Sequence, residues 1–152
     1  MRYVAGSDHA GLRLKQELIE HLRGRGVEVV DVGTFTAEST DYPFYARKVA
    51  ESVASGSAER GLLVCGTGIG VSIAANKVPG IRAAAVSDTF SAQMAVLHND
   101  AQILCLGARV VGPGLALSIL DTFHDARFEG GRHQRRLDQI THLESEVRRG
   151  EP

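Results

Sequence analysis

The sequence predicts an α/β fold: a three-layer α/β/α sandwich, Rossmann-like, around a five-stranded parallel sheet. Three observations lead there. Short apolar runs alternate along the whole chain with stretches of helical periodicity. Each gap between runs is long enough to hold a crossover helix, which parallel pairing requires. No linker or low-complexity segment divides the 152 residues, so 1–152 reads as a single domain, with a charged helical tail from about 132.

The elements follow in order. Arg2–Gly6 is an apolar run that reads as the first strand. Leu12–Gly24 carries Leu14, Leu18, Ile19 and Leu22 at helical spacing. Val27–Val32 is the second strand, rich in β-branched residues. Tyr42-Pro43 opens a helix running to about Ala54, with proline where the first turn tolerates it. Leu62–Cys65 is the third strand, and Ser72–Lys77 begins the helix after it. Ile81–Val86 is the fourth strand, and Asp88 caps a helix running to about Leu97. Ile103–Leu106 and Gly114–His124 complete the alternation. Arg132–Arg149 is charged and reads as a last helix reaching away from the core.

The gross properties narrow the function classes. Net charge is −1, so no general attraction to nucleic acid or to membrane is expected. No apolar run is long enough to span a bilayer. The start, MRYVAGSDHAG, lacks the apolar stretch of a signal peptide. The expected location is therefore cytoplasmic, with Cys65 and Cys105 reduced.

Residues 61–77, GLLVCGTGIGVSIAANK, carry the chemistry. A buried strand ends in Cys65, a turn Gly66-Thr67-Gly68-Ile69-Gly70 follows, and then a helix starts. Such a unit brings backbone N–H groups close to a ligand at a helix N-terminus. A thiol at the lip of that nest is a catalytic arrangement as well as a binding one. Related motifs fit poorly. A dinucleotide fingerprint needs G-x-G-x-x-G and an acidic residue about twenty positions on; here glycine recurs at Gly66, Gly68 and Gly70, and Val71 follows. A Walker loop needs Gly-Lys-Ser/Thr, and Lys77 lies outside the loop.

Ligands of open α/β sheets bind outside the carboxyl ends of the strands. The first strand ends at Ser7-Asp8-His9, the third at Cys65-Gly66-Thr67 and the fifth at Gly107-Ala108-Arg109. Asp8, His9, Cys65 and Thr67 therefore converge at one edge, although Asp8 also suits a helix cap. His98-Asn99-Asp100 follows a helix and precedes a strand, which puts His98 at the opposite, amino edge. A histidine there serves as a helix cap, or a second subunit carries it to the site. Arg132 and Arg136 are four apart and share one helix face, an arrangement that suits either a phosphate or simply a solvated face.

These residues resemble the ribose-5-phosphate isomerase type B family, which includes the galactose-6-phosphate isomerase subunits. The carriers are GSDHAG (6–11), TDYP (40–43), CGTGIGVSIAANK (65–77), GIRAA (80–84), SAQ (91–93), HND (98–100), GARVVG (107–112) and EGGRHQRR (129–136). The resemblance implies an aldose–ketose isomerase of a phosphorylated pentose, with no metal and no cofactor. It implies Cys65 as the base between C1 and C2 and His98 as the ring-opening group; the Thr67 hydroxyl, able to add a hydrogen bond to the reacting oxygen, is a third catalytic candidate. It places Asp8, His9, Gly66, Gly68, Ile69, Gly70 and Asn99 on the sugar, with Tyr42 lining the site. Arg109, Arg132 and Arg136 would hold the phosphate. A second branch of the family uses a glutamate where this chain has Val71, so this chain resembles the cysteine branch. The expected partners are the sugar phosphate and a second copy in a homodimer with shared sites, or a tetramer. A six-carbon sugar phosphate is the alternative substrate, and a non-catalytic sugar-phosphate sensor the alternative class. A sensor needs the arginines but neither Cys65 nor His98.

The residue types suit the reaction. Isomerisation takes a proton from carbon beside a carbonyl and returns it to the neighbouring carbon. A thiol becomes a competent base when neighbouring N–H dipoles stabilise its thiolate. The same N–H groups stabilise an enediolate oxygen. Histidine, which titrates near neutrality, suits ring opening. Among the other candidates, Cys105 reads as core packing and His133 is given no role. No His/Cys cluster has metal-ligand spacing.

Overall fold

The computed structural model of the chain describes residues 1–150. The strands are β1 (Arg2–Ser7), β2 (Glu28–Asp31), β3 (Arg60–Cys65), β4 (Ala83–Ala85) and β5 (Ile103–Gly107). The helices are α1 (Leu12–Gly24), α2 (Tyr42–Ala54), α3 (Ile69–Ala75), α4 (Thr89–Asn99), α5 (Pro113–Asp125) and α6 (Arg132–Arg149). The strands form one five-stranded sheet in the order β2-β1-β3-β5-β4. Every pairing is parallel.

Residue alternation along the strands builds two cores. Leu62 and Val64 join Leu104, Leu106 and the apolar sides of α1, α4 and α5. Leu63 and Cys65 point to the other face, against residues of α2 and α3. The centre of the sheet is buried on both faces, so β3 and β5 read as continuous apolar runs rather than alternating ones. β4 lies at the sheet's edge and keeps only three residues in register with β5. That position explains why it is shorter than its apolar run in the sequence.

Two helix boundaries differ from the sequence expectation in ways that matter. α3 begins at Ile69, so the last part of the glycine turn is already helical. α4 continues to Asn99, with Asp100 as its left-handed cap at φ 45°. His98 and Asn99 are thus held on a helix rather than in a loop. The last helix also differs. It does not simply leave the core: His133 and Leu137 are buried, and the Glu144 carboxylate accepts the Gly80 N–H at 3.0 Å. Apolar burial at Leu137 and the pairing at Glu144 lay α6 back along its own chain.

One buried cation ties the first crossover together. Lys15 sits on the inner side of α1, fully buried. Its Nζ donates to Asp31 Oδ1 at 2.6 Å and to the Thr34 carbonyl at 2.8 Å. Asp31 also accepts the Gly33 N–H at 2.9 Å. The segment leaving β2 is therefore pinned to α1, and this segment continues to Thr40, which touches His9. Removing one member of a buried pair strands the other. Lys15→Met is expected to lower stability by about 3 kcal/mol, read as a lower urea midpoint at unchanged slope. An unchanged midpoint would show that the pair contributes nothing.

Candidate active site

Parallel pairing places the ends of β1, β3 and β5 side by side. Ser7 pairs with Val64, and Cys65 with Gly107. The Cys65 side chain is buried, and its Sγ accepts the Gly68 N–H at 3.1 Å. That contact strengthens as negative charge grows on sulfur. It exists because Gly68 adopts φ 78°, a left-handed conformation that turns the chain back over the thiol. Gly107 permits the other close approach. A Cβ there would lie 2.6 Å from the Thr67 carbonyl carbon, so the loop rests directly on the end of β5.

The rest of this edge is arranged around the loop. The Thr67 hydroxyl is exposed and accepts the Ile69 N–H at 3.3 Å. The Arg109 N–H donates to the Gly66 carbonyl at 3.0 Å, and the arginine side chain lies over Gly66. The Tyr42 ring packs against Gly70. Asp8 is buried, and its carboxylate accepts the Gly11 N–H at 3.1 Å, a capping contact. His9 Nδ1 accepts the Thr40 N–H at 3.2 Å, which leaves Nε2 to carry the proton of the neutral ring. Val71 is fully buried in the α2/α3 core.

The two cysteines show what position does to one side chain. Cys105 lies on β5 with no exposure, and burial pushes its thiol pKa strongly up, with Cys65 adding to the effect. Cys65 stands at the strand end, where a loop N–H reaches its sulfur.

A second cluster lies at the amino edge. His98 is half-buried on the last turn of α4, beside exposed Asn99. The Arg82 Nε–H donates to the Asn99 carbonyl at 2.7 Å. Gly130 and Gly131, at φ 66° and 55°, turn the chain so that α6 starts over the end of α4. The Glu129 N–H donates to the Leu97 carbonyl at 3.1 Å and ties that turn down. Arg132 and Arg136 are exposed on α6. The His133 ring stacks on His98 with centroids 4.2 Å apart and planes 9° apart.

One chain therefore brings Asp8, His9, Tyr42, Cys65, Gly66, Thr67, Gly68, Ile69, Gly70 and Arg109 to the carboxyl edge. It carries His98, Asn99, Arg132 and Arg136 at the amino edge. A strand of the usual length, about 17 Å, separates the two. His133 and Glu129 are parts of the amino-edge cluster that sequence reasoning left without a role. Their signal was present in the EGGRHQRR run, but periodicity does not say which α6 residue turns inward.

Residues 4–140 match the family model described as Ribose/Galactose Isomerase. The chain belongs to the ribose/galactose isomerase family. It is 53% identical over 145 residues to ribose-5-phosphate isomerase B of Escherichia coli (strain K12), covering 95% of this chain and 97% of that one. A ribose-5-P isomerase B of Listeria innocua is 45% identical over 148 residues, with 97% and 100% covered. Among solved structures, ribose-5-phosphate isomerase B of Clostridium thermocellum superposes with a TM-score of 0.96 at 53% identity, covering 97% of this chain and 99% of that one. The Mycoplasma genitalium enzyme with bound ribulose-5-phosphate gives 0.92 at 44% identity, with 95% and 97% covered.

The glycine loop depends on backbone contact at Gly107. Gly107→Ala forces Thr67 away from β5. The expected result is an isomerase turnover reduced by about a hundredfold for a displacement of about 1 Å, while stability falls by only about 1–3 kcal/mol. Turnover within a factor of about two of the parent would show that the loop tolerates the shift.

Proposed function

We propose that the chain interconverts D-ribose 5-phosphate and D-ribulose 5-phosphate by proton transfer through a cis-enediolate. The observation that carries this reading is the Cys65 thiol, buried at the end of β3 and hydrogen-bonded by the Gly68 N–H within a glycine nest. The family membership and the names of the similar proteins support the substrate.

Starting from the aldose, the Cys65 thiolate takes the proton from C2. The C2 electron pair forms the C1–C2 double bond of the enediolate, and negative charge moves to O1. The glycine loop and the Thr67 hydroxyl stabilise that charge. Return of the proton from sulfur to C1, with transfer of the O2 proton to O1, leaves the ketone at C2, a hydroxyl at C1 and the thiolate restored. One base serves both carbons because C1 and C2 are adjacent and the proton is added and removed on one face. Asp8, His9 and Asn99 hold sugar hydroxyls, and Tyr42 lines the site. Arg109, Arg132 and Arg136 hold the phosphate and supply binding energy remote from the reacting carbons. His98 acts before the proton transfer: it assists transfer between the ring oxygen and the O1 hydroxyl that opens the furanose.

The placement of the groups supports a homodimer with shared sites. Cys65 and His98 stand at opposite edges of one sheet, separated by about 17 Å, too far to touch one pentose phosphate. Two-fold packing of amino edge onto carboxyl edge builds two equivalent complete sites. Exposed apolar residues are available for such packing: Ile69 and Ile73 on α3, and Ile140, Leu143 and Val147 along α6. A cleft of about 510 Å³ beneath α6, lined by Ile81, Ala84, Ala95, Ile140 and Leu143, extends that apolar surface.

Two experiments test these readings. Cys65→Ala is expected to lose at least about a thousandfold in turnover while still binding substrate. Cys105→Ala is expected to keep turnover and lose only about 1 kcal/mol of stability. A coupled isomerase assay on ribose 5-phosphate reads both, and near-native turnover by Cys65→Ala removes the thiol from the mechanism. Mixing inactive Cys65→Ala with inactive His98→Ala subunits under exchange is expected to restore activity, because each mixed dimer holds one intact site. Mixed dimers that form and stay inactive would place the whole site within one chain.

A further inference from the structure

His133 is the most deeply buried polar side chain of the amino-edge cluster, with 4% exposure, although it lies between two exposed arginine-bearing turns of α6. Its ring is nearly parallel to that of His98, at 4.2 Å between centroids and 9° between planes. Its Nε2 lies 3.5 Å from Arg132 Nε and 3.5 Å from Glu129 Oε2. A neutral ring with its lone pair on Nε2 accepts from Arg132; a protonated ring turns to Glu129 instead. Burial pushes the His133 pKa down, His98, Arg132 and Arg136 push it further, and Glu129 alone opposes them. The neutral ring is the one this site favours.

His98, Glu129 and His133 offer ligand atoms within 4.8 Å of one another, a spacing that invites a metal reading. The ring geometry argues against it. Imidazole lone pairs lie in the ring plane, and two stacked, nearly parallel rings direct them side by side rather than to one point. Stacking instead restrains one ring by the other. Among the described residues no hydrogen bond to the His98 ring is present to set its plane, so the stacking partner takes that part.

We propose that His133 is a positioning residue for ring opening: its buried imidazole stacks on His98 and sets the plane of the ring that serves the furanose oxygen. This rests on the isomerase reading above and on His98 as the ring-opening group. Arg132 is drawn into the same unit through its contact with His133 Nε2. The ring-opening group and one arginine of the phosphate clamp are thereby held in fixed relation, and a sugar phosphate presents its ring oxygen and phosphate at a fixed separation. His133 itself touches no substrate in this scheme.

The test separates ring opening from proton transfer. Two substrates are compared: ribose 5-phosphate, which is mostly furanose, and 4-deoxyribose 5-phosphate, which lacks the hydroxyl that closes that ring. The analogue keeps C1, C2 and the phosphate, so each variant is scored against the parent on the same compound. His133→Ala is expected to lower kcat on ribose 5-phosphate by about tenfold and to leave the analogue within about twofold. His133→Phe keeps a flat ring in the same place, so it is expected to recover most of the loss. His98→Asn is the reference and is expected to show the same selectivity more strongly. Equal losses by His133→Ala on both substrates, no loss on either, or a phenylalanine variant no better than alanine would each overturn the proposal. If His98→Asn loses equally on both substrates, the ring-opening role of His98 falls, and the positioning role falls with it. If only the His133 variants lack selectivity, the isomerase reading stands and the positioning role alone is wrong.

Discussion

Parallel pairing gives every strand of this sheet the same polarity, and the rest of the molecule follows from it. All five strands end on one edge, and every crossover helix must return the chain to the other. Residues just after a strand are collected at the carboxyl edge. Residues at the end of a crossover helix are collected at the amino edge. Asp8, Cys65 and Arg109 belong to the first group, and His98 and Asn99 to the second. No adjustment of side-chain rotamers brings these groups together across the length of a strand. The proposed pairing of two subunits is one solution to that geometric constraint.

Within the carboxyl edge, backbone contact does the work that side chains do elsewhere. The turn after Cys65 lies on the end of β5 with no room for a Cβ at Gly107, and it folds back because Gly68 takes a positive φ. The result is an N–H aimed at sulfur from a chain segment that has little freedom to move. The Arg109 N–H, donating to the Gly66 carbonyl, ties the turn to the segment after β5, and the Tyr42 ring packs against Gly70. Cys105, two residues before Gly107 on the adjacent strand, has the same thiol and none of this setting. What separates the two thiols is their position along the strand, not the residue type.

The amino edge is built on a different principle. A pair of left-handed glycines reverses the chain, and α6 is laid back over α4 by the burial of His133 and Leu137. Charged residues on its outer side, Arg132 and Arg136 among them, remain exposed. A helix that looks like a solvated tail in the sequence therefore carries a buried imidazole against His98. Its apolar residues further along, Ile140, Leu143 and Val147, stay uncovered within the chain.

The sequence by itself determined the alternation of strands and helices, and hence a parallel sheet, because apolar runs and helical periodicity are local patterns. It also determined which strand ends carry Asp8, Cys65 and Arg109, since that follows from chain order alone. Strand order, the short edge strand β4 and the early start of α3 lay outside it, because they depend on which surfaces pack. The buried Lys15 was hidden for the same reason: helical spacing marks an inner face, but only the Asp31 carboxylate and the Thr34 carbonyl brought up by β2 make a cation stable there. His133 was the clearest omission. Nothing in its neighbours along the chain distinguishes an inward from an outward histidine. Only the fold decides it, because the ring it stacks against comes from a helix more than thirty residues earlier.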